Sequence, residues 1–237
     1  HDGAATQSCP IRRNRFLEMP RHAVLVKGQG VEVSLVENEF DGCSGCAVRV
    51  DRRSIATLKA NFFHGAGAGT GVVVSDGSSA SLAENEFVSL GGNGVEAVGV
   101  GSSVELEDNR FVGTAGCGVL VRNAAEAVMS SNTFDGTTGP SAVRVSRGSK
   151  ASLTRNVVIN GAGHGVVVSA NSQATLLKDT INGNKGCGVD VSNGSTATST
   201  QVKVHTCVKG GLRVRRDGDR VMVNKSFNAV PPQPAAT

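Results

Sequence analysis

The chain has 237 residues, of which 31 are glycine, and its aromatic residues are all phenylalanine. With 39% hydrophobic and 19% charged residues and a net charge of +4, it has enough apolar material for a core and too little charge for disorder. No window approaches the ~18 apolar residues of a membrane span and no signal-peptide pattern opens the chain, so we expect one folded domain without a membrane segment.

In chain order, residues 1–10 are a short lead-in, residues 11–230 are repetitive, and residues 231–237 form a proline-rich tail. The repeat length is 23 or 24 residues, which indicates a solenoid. Three columns of residues mark the repeat. A Gly-Val-x-Val column runs through Val24, Val48, Val72, Val95, Val119, Val143, Val166, Val189 and Leu212. A second column contains Asn14, Asn38, Asn61, Asn85, Asn109, Asn132 and Asn156, followed with less fidelity by Asp179, Val202 and Lys225.

The third column lies two residues after the asparagine column and is large and apolar. It contains Phe16, Phe40, Phe63, Phe87, Phe111 and Phe134, then Val158, Ile181 and Val204, and finally Phe227. Alternating residues around these columns predict short strands that cannot bury themselves singly. Stacked at ~4.8 Å they share one interior, with an internal phenylalanine stack and an asparagine ladder. We expect each asparagine to take a left-handed turn conformation and to bond its amide to the next coil.

The segment Leu82-x-x-Asn85-x-Phe87 also matches part of the leucine-rich repeat, which would place a helix after the asparagine. Residues 88–95 are rich in glycine and β-branched residues, which oppose a helix. The sequence therefore favours an all-β fold, a right-handed single-stranded parallel β-helix of about ten coils, with the handedness expected for parallel crossovers.

The combined pattern A-x-L-x-x-N-x-F and G-x-G-V-x-V resembles the right-handed parallel β-helix repeat over residues 11 to 230. That family includes pectate lyases, polygalacturonases and alginate epimerases, and also intracellular members such as F-box ubiquitin-ligase adaptors and SHC-binding spindle proteins. In the enzymes, the resemblance implies a site on the strand that precedes the serine-rich turn. That strand is the Gly-Val-x-Val strand of this chain.

Catalysis on that strand would need converging groups. Glycoside hydrolysis requires two carboxyl groups ~5 to 9.5 Å apart, whereas Glu96 and Asp190 lie four coils or roughly 19 Å apart. The turns are short and predict no walls for a substrate cleft. The tripeptide Gly163-His164-Gly165 is similar to one in polygalacturonases, but the paired aspartates of that family are absent, so we interpret His164 as a turn residue. We expect no enzyme, and no catalytic, cofactor-binding or metal-binding residue.

The six cysteines are spread along the chain, and only Cys43 and Cys46 are near neighbours. A single C-x-x-C supplies half of a zinc site, so a reduced pair in a reducing compartment is favoured. Together with the missing signal peptide, this predicts an intracellular protein. Carbohydrate is disfavoured as a partner because tryptophan and tyrosine are absent, and nucleic acid because no aromatic platform accompanies the basic residues.

Two groups of residues are predicted to bind other proteins, at the coil ends and on a lateral face. The C-terminal basic group is Lys203, Lys209, Arg213, Arg215, Arg216 and Arg220. The lateral group is Leu25, Arg49, Val73, Leu120, Arg144 and Val167, a mixture of apolar and arginine side chains that protein interfaces favour. The sequence therefore favours a non-enzymatic structural or interaction solenoid of an intracellular assembly. The alternative is a polysaccharide lyase, glycoside hydrolase or C5-epimerase.

Overall fold

The computed structural model describes residues 10–65, 67, 69–215, 218–224 and 228–230, in which the chain forms 29 β-strands and no helix. The strands, in chain order, are β1 Pro10–Arg12, β2 Arg15–Leu17, β3 His22–Lys27, β4 Glu32–Val36, β5 Glu39–Asp41, β6 Cys46–Asp51, β7 Ile55–Lys59, β8 Phe62–His64, β9 Thr70–Ser75, β10 Ser79–Ala83, β11 Glu86–Val88, β12 Val95–Val98, β13 Ser103–Glu107, β14 Arg110–Val112, β15 Val119–Arg122, β16 Glu126–Ser130, β17 Thr133–Asp135, β18 Ser141–Ser146, β19 Lys150–Thr154, β20 Val157–Ile159, β21 His164–Ser169, β22 Gln173–Leu177, β23 Thr180–Asn182, β24 Val189–Ser192, β25 Thr196–Thr200, β26 Lys203–His205, β27 Leu212–Val214, β28 Arg220–Asn224 and β29 Asn228–Val230.

Every third strand belongs to the same sheet, so that the chain winds through three parallel sheets once per coil. Sheet 1 contains ten strands from β1 to β28, sheet 2 contains ten from β2 to β29, and sheet 3 contains nine from β3 to β27. Each strand pairs with its equivalents in the preceding and following coils, as in Leu82 opposite Leu58 and Leu106. This topology confirms the predicted parallel β-helix and, within the described residues, leaves no place for the helix of a leucine-rich repeat.

The asparagine column forms a continuous ladder at the bend between sheets 1 and 2. The side-chain oxygen of Asn109 accepts hydrogen bonds from the backbone and side-chain nitrogens of Asn85, at 2.9 and 3.0 Å. The side-chain nitrogen of Asn109 donates to the carbonyl of Leu82 and to Asn132. The ladder therefore connects each coil to its neighbours on both sides and satisfies polar groups that are buried in the bend.

The left-handed residue of this bend is the one before the asparagine, so the expectation that asparagine itself adopts that conformation is wrong. Glu84 and Asp108, for example, have φ of 58° and 53°. These side chains point away from the core, and the turn places the following asparagine inside. Asparagine is used here for its hydrogen bonds and not for its tolerance of positive φ.

The phenylalanine column forms the predicted stack inside sheet 2. Consecutive rings from Phe16 to Phe134 have centroids 4.6 to 4.9 Å apart and planes within 3 to 7° of each other. Val158, Ile181 and Val204 continue the column and are fully buried. The predicted last members, Lys225 of the ladder and Phe227 of the stack, lie outside the described residues, as do residues 1–9 and the tail 231–237.

The ladder ends in Asp179, which occupies the asparagine position one coil before Val202. Its side-chain oxygens accept hydrogen bonds from the backbone and side-chain nitrogens of Asn156, at 2.7 and 2.9 Å, and from the Leu177 amide. Burial nevertheless raises the pKa of Asp179 to about 6, because the charged form is desolvated more than these bonds compensate. The carboxylate therefore lies at a position that favours a neutral side chain.

We expect Asn109→Ala to lower the free energy of unfolding by roughly 2 to 4 kcal/mol, because it removes bonds to two coils and leaves buried partners unsatisfied. Asn14→Ala should cost about 1 kcal/mol or less, since Asn14 is exposed and its side chain bonds only to Arg12 and Asn38 among the described residues. Denaturant unfolding of the two variants measures both losses. Equal losses would contradict the ladder model.

We expect Asp179→Asn to stabilise the protein at neutral pH. Because the folded pKa is raised above the unfolded value near 3.8, the cost of ionising Asp179 is absent below that value and fully present above about 6. The wild type should therefore lose on the order of 2 to 3 kcal/mol as the pH rises through this window, and the variant should lose less. Unfolding measured between about pH 4 and about pH 8 tests this. Parallel pH profiles for the two proteins would refute it.

Candidate functional site

The outer face of sheet 3 carries the outward residues of the Gly-Val-x-Val strands. Its first outward column contains Leu25, Arg49, Val73, Glu96, Leu120, Arg144, Val167, Asp190 and Arg213, one above another. The second contains Lys27, Asp51, Ser75, Val98, Arg122, Ser146, Ser169 and Ser192, with Arg215 just after β27. The fourth member is Val98 and not Gly99, because Gly99 lies in the following turn with φ of 95°.

A groove of about 730 Å³ runs along this face, across the strands. Its floor contains Leu120, Arg144, Val167 and Asp190. One side is formed by residues at the start of the strands, Asn93, Gly116, Cys117, Pro140 and His164, and the other by Arg122, Ser146, Arg147, Ser169, Ala170, Ser192, Asn193 and Arg215. These residues belong to six successive coils, which at ~4.8 Å per coil give a length of about 24 Å.

The groove corrects the expectation that short turns leave no cleft. One wall contains Arg122 and Arg215 of the second outward column. The opposite wall contains residues of the turns that precede the strands, Asn93 and Pro140, and His164, the first residue of β21. Short turns therefore do not exclude a groove on a sheet whose outward side chains differ in length.

Asp190 is the anchor of the C-terminal part of the groove. Its side chain is 3% exposed and lies 2.9 Å from Arg213 and 2.7 Å from Arg215. Burial by itself would raise its pKa, but hydrogen bonds from the two guanidinium groups lower it to about 2. Asp190 is therefore ionised at any physiological pH and cannot act as a general acid there.

His164, interpreted from the sequence as a turn residue, is the first residue of a strand and lines the groove. It begins strand β21, and its Nδ1 accepts a hydrogen bond of 2.8 Å from the Cys187 amide. The proton of the neutral ring therefore lies on Nε2, and the Arg213 nitrogen 3.3 Å away is itself a donor, so the two groups form no hydrogen bond in this tautomer. Burial and the nearby positive charges of Arg213, Arg215 and Lys209 lower the pKa of His164, although Asp190 opposes them. The ring is thus a neutral hydrogen-bond donor beside the groove.

A second ion pair lies near the other end of the groove. Arg122 donates to Glu96 from its Nε at 2.6 Å, and the Glu96 side chain is 12% exposed. The Asn93 side chain donates to the same carboxylate at 3.3 Å. Glu96 therefore holds one cation and Asp190 holds two, and the two carboxylates lie four coils apart as the sequence indicated.

The structure also joins two carboxyl groups that the column analysis missed, Asp51 and Asp76. Asp76 follows the strand end at Ser75 with φ of 52°, which brings it beside Asp51 of the preceding coil. A hydrogen bond with Asp51 and its charge raise the pKa of Asp76. Burial opposes ionisation of Asp51, but bonds with Asp76, Ser75 and Arg49 leave its pKa lowered. Directly bonded carboxyl groups are closer than the ~5 Å that glycoside hydrolysis needs.

The predicted partner-binding residues lie on different faces. Arg213 belongs to sheet 3 and Arg215 directly follows its last strand, whereas Lys203 lies on sheet 2, Arg220 on sheet 1 and Lys209 in a turn. Arg216 lies outside the described residues. In the lateral group, exposure falls from 51% at Leu25 to 7% at Val167, because the groove walls cover the second half of the column. Protein docking at these residues stays a prediction.

The described cysteines do not form a reactive or metal-binding group. Cys43, Cys46, Cys117, Cys187 and Cys207 are free and buried. Burial raises the pKa of the Cys46 thiol to about 11, which leaves it protonated. Within the described residues, no three histidine, cysteine or acidic side chains could hold a metal ion, and no helix is long and apolar enough to span a membrane.

The chain is similar to known β-helical proteins. A family model for the right-handed beta helix region matches residues 2–139 and, overlapping them, 66–208. Among solved structures, the catalytic unit of the thermostable GH87 alpha-1,3-glucanase from Streptomyces thermodiastaticus strain HF3-3 is 11% identical with a TM-score of 0.77. The match covers 95% of this chain and 51% of the glucanase unit, so the chain spans about half the length of that structure.

Two further comparisons add little. A hyper-glycosylated TibA fragment, modified by TibC, is 11% identical over 92% of this chain and 99% of the fragment, but its TM-score of 0.21 supports no inference. No curated protein sequence matches the chain.

The glucanase comparison contradicts the prediction that this chain is not an enzyme. That prediction depended on the absence of a cleft and of a converging carboxylate pair, yet the shared fold is that of a catalytic unit and the sheet carries a groove. At 11% identity the likeness establishes the fold, including its right-handed winding as the family model describes it.

We expect the midpoint of the His164 titration to lie below the usual value near 6.5, because burial and three cations oppose its charge. Asp190→Asn should lower the midpoint further, since Asp190 is the group that raises it, and Arg213→Ala should raise it. Histidine ring signals followed by NMR, assigned with His164→Gln, measure these shifts. A shift in the opposite direction for either variant would contradict this electrostatic account.

Proposed function

Because this chain belongs to the right-handed β-helix family, we propose that it is a polysaccharide-active enzyme of the class that contains lyases, glycoside hydrolases and epimerases. The sheet 3 groove is the substrate site. With this proposal we abandon two predictions from the sequence, that the protein is not an enzyme and that carbohydrate is disfavoured as a partner. That expectation considered only aromatic stacking as a means of holding a sugar.

The single observation that carries the proposal is the shape and lining of the groove. It is open and long, with a length of about 24 Å, which suits an extended polymer better than a small molecule. Its walls present donors and acceptors that pair with sugar hydroxyls, including Ser146, Ser169, Ser192 and the Asn193 amide. The Leu120 and Val167 side chains give its floor apolar surface for the faces of sugar rings.

The parallel stacking supports the same proposal physically. Equivalent residues of successive coils repeat every ~4.8 Å along the rod, so a linear polymer lying in the groove meets similar groups at regular intervals. Binding energy collected over several sugar units can then hold one linkage at the reacting position, which is how remote contacts support catalysis. The glucanase catalytic unit shows that this fold accommodates such a reaction in another protein.

We expect the protein to release reducing ends or unsaturated uronates from at least one polymer in a panel of alpha-1,3-glucan, pectin, polygalacturonate and alginate. Ser169→Tyr should abolish this activity, because Ser169 lines the groove and the larger side chain fills it. The matched control is Ser152→Tyr, at an outward position of strand β19 on sheet 1 in the neighbouring part of the same coils.

The products separate the reaction classes. Unsaturated ends identify elimination, reducing ends without unsaturation identify hydrolysis, and changed uronate composition without cleavage identifies epimerisation. Equal activity of the two tyrosine variants would place the reaction outside the groove and contradict the proposed site. Inactivity of the wild type on every polymer would contradict the proposed function.

A further inference from the structure

The chain contains four asparagine–glycine pairs, and one of them lacks the hydrogen bonds that hold the other three. In such a pair the glycine nitrogen can attack the side-chain amide of the asparagine, because glycine has no side chain to hinder the approach. Asparagine is for this reason a chemically labile residue. The four pairs are Asn93-Gly94, Asn160-Gly161, Asn182-Gly183 and Asn193-Gly194.

The attacking nitrogen of the first three pairs is bonded to the next coil. A backbone nitrogen that donates to a fixed acceptor cannot turn toward the side chain that precedes it without breaking that bond. The donors and their acceptors are Gly94 and the Cys117 carbonyl at 3.0 Å, Gly161 and the Asn184 side-chain oxygen at 3.0 Å, and Gly183 and the His205 carbonyl at 3.2 Å.

The side chain that would be attacked is also held in each of these three pairs. The Asn93 oxygen accepts from the Cys117 amide at 2.8 Å. The Asn160 nitrogen donates to Asp135 at 3.0 Å, and the Asn182 oxygen accepts from the Thr206 hydroxyl. Both reacting groups are therefore fixed in all three pairs.

The fourth pair, Asn193-Gly194, lies in the turn between strands β24 and β25, and both of its residues are exposed. Their φ angles are 56° and 75°. Within the described part of the chain, neither the Asn193 side chain nor the Gly194 nitrogen forms a hydrogen bond. The turn is held through the Asn193 carbonyl, which accepts from the Asn171 amide at 2.9 Å. The stacking neighbours of Gly194 in the next coil, residues 216 and 217, lie outside the described residues.

We propose that Asn193 is a site of spontaneous conversion to aspartate and isoaspartate. The Gly194 nitrogen forms a bond to Cγ of Asn193, and the side-chain nitrogen leaves as ammonia with the proton of Gly194. Water then opens the cyclic imide. Opening at Cγ gives aspartate, and opening at the backbone carbonyl carbon gives isoaspartate, in which the chain runs through the former side chain. Water is the sole co-reactant, and the inference is independent of the proposed function.

The conversion changes the groove, because Asn193 lines the same wall as Arg215. Both products carry a negative charge where asparagine was neutral, which lowers the positive potential of this wall. Isoaspartate in addition lengthens the backbone between β24 and β25 and turns the carbonyl that now accepts from Asn171 into a free carboxylate. The modification therefore alters both the charge and the shape of the groove wall.

The test follows all four pairs in one protein. The folded full chain is incubated at mildly alkaline pH, which favours loss of the glycine proton, and peptide mapping by mass spectrometry measures the conversion of each asparagine. Asn193 should react at least about 10-fold faster than the others, because each of these must first break its hydrogen bonds. A protein carboxyl methyltransferase with labelled S-adenosylmethionine measures the isoaspartate fraction.

Two variants assign the product to its site. Asn193→Gln should remove most of the isoaspartate, because ring closure from the longer side chain is slower. The matched control Asn160→Gln removes another exposed member of the set and should leave the product unchanged. The substitutions are made at asparagine and not at Gly194, since a side chain at Gly194 would collide with that of Asn171.

The same chain in concentrated guanidinium is the reference, because unfolding removes the hydrogen bonds and should let all four pairs react at similar rates. If another pair reacts first in the folded protein, hydrogen bonding does not decide which asparagine is labile and the proposal is wrong. If the unfolded chain reacts while the folded protein reacts at none of the pairs, Asn193 is protected and the proposal is equally wrong. Polysaccharide cleavage enters neither measurement, so the result stands apart from that of the proposed function.

Discussion

The structure depends on parallel backbone pairing between one coil and the next at a constant register. Each strand bonds to the strand 23 or 24 residues away, so every side chain lies directly over its equivalent in the preceding coil. A residue type that cannot tolerate a copy of itself at ~4.8 Å is costly in the interior. Flat phenylalanine rings, leucine side chains and asparagine amides tolerate such copies, and they are the residues that form the interior columns.

The asparagine ladder has a direction, and its ends differ for that reason. Each side-chain oxygen accepts from the coil before it, and each side-chain nitrogen donates to the coil after it and to a backbone carbonyl. Asp179 can accept from Asn156 but has no amide to donate, and the next position is the apolar Val202. As the last acceptor of the ladder, Asp179 completes its hydrogen bonds. Burial, however, makes the negative charge of Asp179 unfavourable.

The same stacking shapes the candidate site. Like charges in adjacent coils of one column would repel each other, and in the first outward column of sheet 3 each arginine has apolar or acidic neighbours. Paired arginines meet their carboxylates across coils, as Arg122 meets Glu96 and Arg215 meets Asp190. Arg144 lies between two apolar neighbours in its column and lines the groove without an ion-pair partner among the described residues.

The sequence by itself determined the fold, because a repeat of 23 or 24 residues with like residues in each column allows one stacked arrangement of coils. It identified the ladder from Asn14 to Asn156, the stacked phenylalanines and the outward columns. Only the tertiary structure decided which side chains meet outside the core. Asp76 reaches Asp51 through a left-handed turn residue, the His164 ring accepts from the Cys187 amide, and the groove arises from side-chain length. Repetition constrains the backbone register and the bend before each ladder position strongly, but the contacts of the long outward side chains differ from coil to coil.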